Sequence, residues 1–285
     1  MQLFLEVKMQ TAHCLTLNWH FTAACNFKCR YCFMHNSSSL KKEDYTAVLK
    51  KLEGSFKRIN FVGGEPTVSP LLIPLVRQAY HAGFDCSIVT NGFNLIHYPQ
   101  QFTGVYPLLS CIGISVDSLY ESTNAAIGRC CNRHVITRAE YEQLCTTIKS
   151  HGIRLKINTV VSTLNLHEDF SSFYQTVQPD RIKLFQVLKP NTYLTRHYDN
   201  LLITKADFDA FVLRHRTSNA YGRNIVAEDN AAMTNAYYIL DSECRFIDNG
   251  TGKKSPSLAD NGMTVEKALS YIAVDDAKYQ ARYSA

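Results

Sequence analysis

Three cysteines, Cys25, Cys29 and Cys32, fall within eight residues of the stretch Thr22-Ala23-Ala24-Cys25-Asn26-Phe27-Lys28-Cys29-Arg30-Tyr31-Cys32-Phe33. Their C-x3-C-x2-C spacing lets three thiolates close round one metal centre, directly after an apolar, strand-like run. An aromatic residue follows the last of them. Iron–sulfur clusters are ordinarily held by four protein ligands, so three leave one iron open to bind something else. The competing reading is a structural zinc knuckle, which uses paired C-x2–4-C units with Cys or His partners. No second C-x2-C unit occurs downstream. That favours the open iron–sulfur site, with zinc and ordinary buried cysteine as the other readings.

Such a loop needs a frame, and the pattern of the chain supplies one. Residues 15–21 alternate apolar with polar and read as a strand that ends at the cysteine loop. Further short strands are expected at 59–62, 86–90, 110–116, 154–161 and 182–187. Helices are expected at 40–52, 71–82, 141–150 and around 169–177, the second stopped by Gly83 and the third by Gly152. Strands alternating with helices imply right-handed crossovers and a parallel sheet. Two units are lacking for a complete (β/α)8 barrel. The fold class expected is therefore α/β, a partial (β/α)6 barrel over residues 1–190 with a C-terminal α+β extension over 191–285. In that extension a helix over 204–216 begins at Thr204 as N-cap with Asp207 at N3. Short strands are read at 224–226 and 237–240, and a last helix starts at Thr264. Residues 248–254, a Gly/Asn/Lys loop, read as an exposed turn rather than a phosphate cradle.

Composition narrows the class. The chain has 285 residues, 46% of them hydrophobic, enough for a sizeable core. Its net charge of +5 suits a pocket for an anionic ligand, while no Lys/Arg block suggests a nucleic-acid partner. No run long enough to span a membrane occurs, and the opening residues 1–8 lack the pattern of a secretory signal. The ten cysteines are then expected to be reduced thiols in the cytoplasm. The adjacent pair Cys130 and Cys131 receives no role.

Parallel sheets place ligands at the carboxyl ends of their strands. The polar clusters of this chain fall there: Gly63-Gly64-Glu65-Pro66 after the second strand, Thr90-Asn91-Gly92 after the third and Asp117 after the fourth. The cysteine loop followed by Gly-Gly-Glu-Pro resembles the radical S-adenosylmethionine superfamily. Within it, Asn18-Trp19-His20-Phe21-Thr22, residues 59–66 and 87–92, Ile114-Ser115-Val116-Asp117-Ser118 and Ile127-Gly128-Arg129 resemble the viperin family. So do Lys156-Ile157-Asn158, Lys183-Leu184-Phe185-Gln186, residues 238–241, and Gly252-Lys253-Lys254-Ser255-Pro256-Ser257. The resemblance covers nearly the whole chain.

It implies a [4Fe-4S] cluster on Cys25, Cys29 and Cys32, with S-adenosyl-L-methionine chelating the open iron. Gly63, Gly64 and Glu65 would receive the amino group of that cofactor and Ser115 and Arg129 its carboxylate. Thr90 and Asn91 would face it, and Gln186 and Val187 would line its adenosine side. It also implies a nucleoside triphosphate substrate, bound by Lys156, Asn158, Lys183 and Arg181, with Tyr237 near the phosphates and Asn18 at the base. Independently of the resemblance, Lys156 and Asn158 lie two apart on one strand and share a face. A lysine such as Lys183 inside an apolar strand is costly to bury unless it meets an anion. The implied activity is conversion of CTP, UTP or GTP to its 3′-deoxy-3′,4′-didehydro form, an antiviral chain terminator, by removal of the ribose 4′ hydrogen and loss of water. An external flavodoxin- or ferredoxin-like electron donor and a monomeric protein without a membrane anchor are expected. The sequence selects no proton donor.

One departure stands out. Animal viperins carry a phosphate-binding lysine just after the cysteine motif, whereas here that loop reads Met34-His35-Asn36-Ser37-Ser38-Ser39-Leu40, with no lysine before Lys41. The rival enzymatic reading is a radical S-adenosylmethionine enzyme acting on a peptide or other small molecule. Against it, only Cys244 lies beyond Cys145, too few cysteines for the auxiliary clusters of many peptide modifiers. A metal-stabilised binding protein is the non-enzymatic alternative.

Overall fold

The computed structural model describes residues 15–32, 42–188, 199–218 and 220–283. The loop lacking the phosphate-binding lysine, the opening residues and the chain around Pro190 lie outside them. Eight strands form one sheet: β1 (Thr16–Thr22), β2 (Arg58–Gly63), β3 (Asp85–Thr90), β4 (Cys111–Ser115), β5 (Arg154–Val161), β6 (Arg181–Gln186), β7 (Ile225–Glu228) and β8 (Tyr238–Leu240). All neighbours are parallel, in the order β7-β6-β5-β4-β3-β2-β1-β8. The expected six-strand series is present in sequence order. The two strands read beyond residue 190 join the same sheet, one at each edge. Short strands beside polar loops give no sequence signal of their partner, so only the register assigns them.

The strands show why this sheet is curled and hollow. A parallel strand covered on both faces reads as a continuous apolar run. In β5, by contrast, Leu155, Ile157, Thr159 and Val161 are fully buried, and Lys156, Asn158 and Val160 between them are only half-buried. The apolar set packs outward under the helices; the polar set lines a concave face. Gly113, paired with Lys156 on the neighbouring strand, leaves that face open, because a Cβ there would lie 2.6 Å from Lys156 Cε.

The helices cover the outer face. The first six are α1 (Lys42–Leu52), α2 (Leu72–His81), α3 (Phe93–His97), α4 (Glu121–Ile127), α5 (Arg138–Ser150) and α6 (Ser171–Val177). On α1, Tyr45 sets its ring edge-on to Trp19 of β1, with centroids 5.6 Å apart, and Trp19 stacks on Phe61 of β2. Fully buried rings of this size each contribute roughly 1.5–3 kcal/mol through area removed from water. Thr137 and Glu140 form a capping box at the start of α5, and Thr204 and Asp207 form the expected one at the start of α7 (Lys205–Thr217). Three helices follow: α8 (Asn230–Met233), α9 (Val265–Leu269) and α10 (Asp276–Tyr283). No helix among the described residues is long and apolar enough to cross a membrane. In the Gly/Asn/Lys loop, Asp248 Oδ1 accepts from the Gly250 and Thr251 amides and Oδ2 from the Ala273 amide. The loop is thus a self-satisfied turn, as read.

The two edge strands are not hydrogen-bonded to one another, and α10 bridges them. Tyr279 Oη accepts from the Thr16 amide at the start of β1 (2.5 Å), and Tyr283 Oη accepts from Asn18 Nδ2 (3.3 Å). Between these tyrosines Arg282 pairs with Glu228 of β7 (2.8 Å) and donates to the carbonyls of Ala236 and Ala232 (2.9 and 3.0 Å). Its own carbonyl accepts from Arg181 of β6. The helix has no apolar stripe long enough to be read from sequence; polar contacts hold it. Removing one partner of a buried pair leaves the other uncompensated, so Arg282→Ala should destabilise the protein by about 3 kcal/mol, the low end of the usual range because Lys183 also reaches Glu228. Denaturant unfolding checks this; a change below about 1 kcal/mol, the range of an exposed ion pair, would contradict the bridging role.

Candidate active site

The cysteine loop leaves β1 and is fastened to α4. Lys28 and Arg30 amides donate to the carbonyls of Gly128 (3.1 Å) and Ile127 (2.9 Å). Gly128 ends α4 at φ +89°, and a Cβ there would lie 2.3 Å from Lys28 O. Here glycine is required by both backbone angle and contact. None of the nine described cysteines is in a disulfide. Cys25, Cys29 and Cys32 sit near enough for their charges to act on one another, and burial pushes the Cys29 thiol up to about 12 against the pull of Arg129. Such thiols ionise only for a strong cation.

The spread of these sulfurs separates the metal readings. Tetrahedral zinc with Zn–S of about 2.3 Å holds its sulfurs about 3.8 Å apart. Among the described residues, the cysteines are not among the trios whose ligand atoms lie within 4.8 Å. A cluster offers a separate iron to each thiolate and so accepts a wider spread than a lone ion. The donor set and its spacing therefore suit an iron–sulfur cluster.

The Gly-Gly-Glu-Pro segment runs alongside. Gly64 and Glu65 amides donate to Thr22 O (2.8 Å) and Ala24 O (2.7 Å), continuing the β1–β2 ladder into the loop. A Cβ on Gly63 would meet Thr22 O, and one on Gly64 would meet Ala24 O, each at 2.2 Å. Glu65 is 1% exposed and collects four donors. Oε1 accepts from the Thr67 amide (3.0 Å), Thr67 Oγ1 and Thr90 Oγ1 (both 2.6 Å), and Oε2 from the Asn91 amide (2.6 Å). Burial raises its pKa, and these bonds oppose the rise. Glu65 thus fixes the ends of β2 and β3 together, with its remaining acceptor capacity on Oε2. Asn91 Nδ2 donates to Asn26 Oδ1 in the cysteine loop (2.7 Å). Glu65, Thr90, Asn91 and the loop are brought together.

Arg129 and Ser115 join them. Arg129, 5% exposed, pairs with Asp117 (2.7 Å) and donates to the Ser115 carbonyl (2.6 Å). Its Nη1 reaches Cys29 Sγ at 4.0 Å, its plane covers the Phe27 ring, and its Nε is buried without a partner. Asp117 also accepts from the Val160 amide (2.7 Å) and the Tyr31 hydroxyl. Val187 packs with Tyr31, Ile127 and Leu201 beside the loop. Gln186 Nε2 donates to Ile203 O (3.0 Å), and its Oε1 accepts from the Asn230 amide (3.1 Å).

A second group occupies the concave face further down the strands. Lys183, 8% exposed, pairs with Glu228 (2.5 Å) and donates to Tyr237 Oη (3.3 Å). Burial is the largest influence on it and brings its pKa down to about 7 despite Glu228. Burial also lowers Lys156, helped by Arg181, and Lys156 has no ion-pair partner among the described residues. For Glu228, burial works upward, but Lys183 and Arg282 more than offset it and hold the carboxyl below its ordinary value. Tyr237 donates to Glu228, and Arg282 lies over its ring at 4.1 Å. Asn158 Oδ1 and Arg181 Nε are buried without partners. Asn18 accepts from Asn60 Nδ2 (2.9 Å), which in turn takes Ser87 Oγ on its own oxygen (3.0 Å).

Two pairs of residues were not singled out from sequence as partners: Asp117 with Tyr31, and Glu228 with Arg282. Asp117 had a signal, a carboxylate directly after a buried strand, which needs a cation. Glu228 and Arg282 had none, because they meet across the seam of the sheet from distant parts of the chain.

Comparison with known proteins agrees with this architecture. The family profile described as the Radical SAM superfamily matches residues 19–177. The chain is 37% identical to an S-adenosylmethionine-dependent nucleotide dehydratase of Flammeovirga pacifica over 83% of each chain. It is 32% identical to one of Selenomonas ruminantium, covering 94% of this chain and 98% of that one. It is also 32% identical to the enzyme of that name, RSAD2, from Oncorhynchus mykiss, covering 94% and 78%. Among solved structures, SuiB of Streptococcus suis bound to S-adenosylmethionine superposes with a TM-score of 0.68 at 15% identity, over 98% of this chain and 70% of that one. The fold of anSMEcpe with bound AdoMet is similar too, at a TM-score of 0.66 and 15% identity over 94% and 82%. With the cysteine loop, the glycine cradle and these relatives in agreement, the chain belongs to the radical S-adenosylmethionine superfamily and, within it, to the viperin family of nucleotide dehydratases.

Proposed function

We propose that this protein converts a ribonucleoside triphosphate, CTP, UTP or GTP, to its 3′-deoxy-3′,4′-didehydro analogue, an antiviral chain terminator, with loss of water. The observation that carries this reading is the cation group of buried Lys183 and half-buried Lys156 and Arg181 on the same concave face as the cysteine loop, with Glu228 the one carboxylate paired with it among the described residues. The name S-adenosylmethionine-dependent nucleotide dehydratase carried by its relatives supports it. Cys25, Cys29 and Cys32 would hold a [4Fe-4S] cluster. Gly63, Gly64, Glu65, Thr90, Asn91, Ser115, Arg129, Gln186 and Val187 would surround S-adenosyl-L-methionine. Bound together, these two supply the radical chemistry that removes the ribose 4′ hydrogen.

The chain's own part is to bind, orient and exclude water. Lys156, Asn158, Lys183, Arg181 and Tyr237 grip the triphosphate, and Asn18 meets the base. An anion beside Lys183 restores the charge that burial suppresses. Residues 1–190 would form the radical core and 191–285 complete the nucleotide pocket, since Tyr237 and Glu228 come from that segment. The protein would work as a monomer in the cytoplasm, reduced by a flavodoxin- or ferredoxin-like donor. The absence of disulfides among the nine described cysteines suits a reducing compartment.

The reconstituted enzyme, given dithionite, S-adenosylmethionine and each ribonucleoside triphosphate in turn without oxygen, should yield 5′-deoxyadenosine together with a nucleotide lighter by one water, read by mass spectrometry. 5′-Deoxyadenosine without such a nucleotide would turn the assignment towards a peptide or other small-molecule substrate. Lys156→Ala should weaken triphosphate binding by about 10- to 100-fold, the loss of one charge-assisted contact, and leave cluster absorbance intact; unchanged affinity would remove Lys156 from the site.

The pH dependence has a definite sign. Lys183 titrates at about 7 in the unliganded protein, and a bound anion favours its protonated form. Above that pH, binding therefore takes up a proton. From about pH 7.5 to about pH 9 affinity should fall with rising pH, by at most ~10-fold per unit. Calorimetry at the same pH in two buffers of different ionisation enthalpy would show the uptake, and equal heats in both would count against Lys183 as the titrating group.

A further inference from the structure

We infer that His97, His134 and Glu140 form a binding site for a zinc-class divalent metal ion, separate from the cysteine loop, which ties the segment following Arg129 to α3. One ligand atom from each lies within 4.8 Å of the others, the only such trio among the described residues. His97 closes α3, and its Nε2 is buried without a hydrogen-bond partner. A buried ring nitrogen in that state is unfavourable, and coordination satisfies it. The His134 ring stands at right angles to that of His97, with centroids 4.6 Å apart, and both rest on Phe93. His134 Nε2 faces Glu140 Oε1 at 3.2 Å.

The supports around these three are already in place. Glu140 Oε2 accepts from the Thr137 amide (2.8 Å) and Thr137 Oγ1 (2.9 Å), which leaves Oε1 aimed at the histidines. Oriented carboxylates of this kind are what second-shell contacts provide at metal sites. His134 is presented by a tight turn: Cys131 and His134 exchange backbone hydrogen bonds, with Asn132 and Arg133 at φ +49° and +68°. A left-handed pair of non-glycine residues is uncommon and holds the turn in one shape.

Two imidazoles and a carboxylate are donors for zinc, or for cobalt or nickel, rather than for magnesium or calcium, which take oxygen. Water would complete the four-coordinate shell. Because α3 follows Asn91, and the turn begins two residues after Arg129, the ion would join the segments that flank two residues of the cysteine-loop environment.

The test uses the anaerobically reconstituted holoenzyme, so that the loop thiols are occupied. After a chelator wash and dialysis against micromolar Zn2+, metal analysis should show one zinc per chain beyond the cluster iron. His134→Ala, at an exposed position, and Glu140→Gln, which can retain the Thr137 contacts, should each weaken zinc binding by at least ~10-fold. Zinc at about 100 times the parent Kd should raise the unfolding midpoint of the parent protein by about 5 °C and that of each variant by no more than about half as much. No zinc beyond the cluster iron would overturn the site. So would zinc that survives His134→Ala but is lost in Cys131→Ser, which would assign it to the neighbouring thiols.

Discussion

The buried pair between Asp117 and Arg129 is the interaction on which the ligand-binding end of the sheet depends. Asp117 sits just past β4 and takes hydrogen bonds from the β5 backbone and from Tyr31 in the cysteine loop; Arg129 follows α4 and reaches back to β4. Four separate pieces of chain are thus held by one carboxylate and one guanidinium. Isolated, either charge would cost several kcal/mol to bury. Paired and hydrogen-bonded, they hold the loop against α4, and they set a positive charge beside Cys29 where a cluster's sulfur would carry negative charge.

A second, unlike arrangement occupies the middle of the concave face. There, among the described residues, the cations outnumber the acids: Glu228 pairs with both Lys183 and Arg282, while Lys156 and Arg181 have no carboxylate of their own. Burial responds by lowering the lysines' affinity for protons. Stability by itself would favour more acid or less base here. An anionic ligand resolves the imbalance, and the unpartnered oxygen and nitrogen of Asn158 and Arg181 point to the same need. The open seam between β7 and β8 is what makes room for this group, and α10 holds that seam with side chains instead of a strand ladder.

Much of the fold was legible in order. Alternation in β1 and β5, stop signals at Gly83 and Gly152, and the capping pair Thr204 and Asp207 fixed elements that the structure contains within a residue or two. Their local causes lie in neighbouring residues, so a linear reading finds them. Helices α3 and α4 escaped because five to seven residues are too few to show a period. Helix α10 escaped because tyrosine and arginine contacts, not an apolar stripe, bury it.

By itself the sequence determined the chemistry on offer: three thiols at cluster spacing, a glycine cradle that no side chain could enter, and lysines placed on inward strand positions. These depend on residue type and on periodicities of the backbone, which are local. Only the tertiary structure decided that β7 and β8 extend one sheet at opposite edges, that Glu65 spends its oxygens on β3, that Glu228 and Arg282 meet across the seam, and that His97, His134 and Glu140 converge. Each of these joins residues far apart in the chain. Such pairings are selected by the curl of the sheet and by the cost of burying charge alone, neither of which is written in any short stretch of residues.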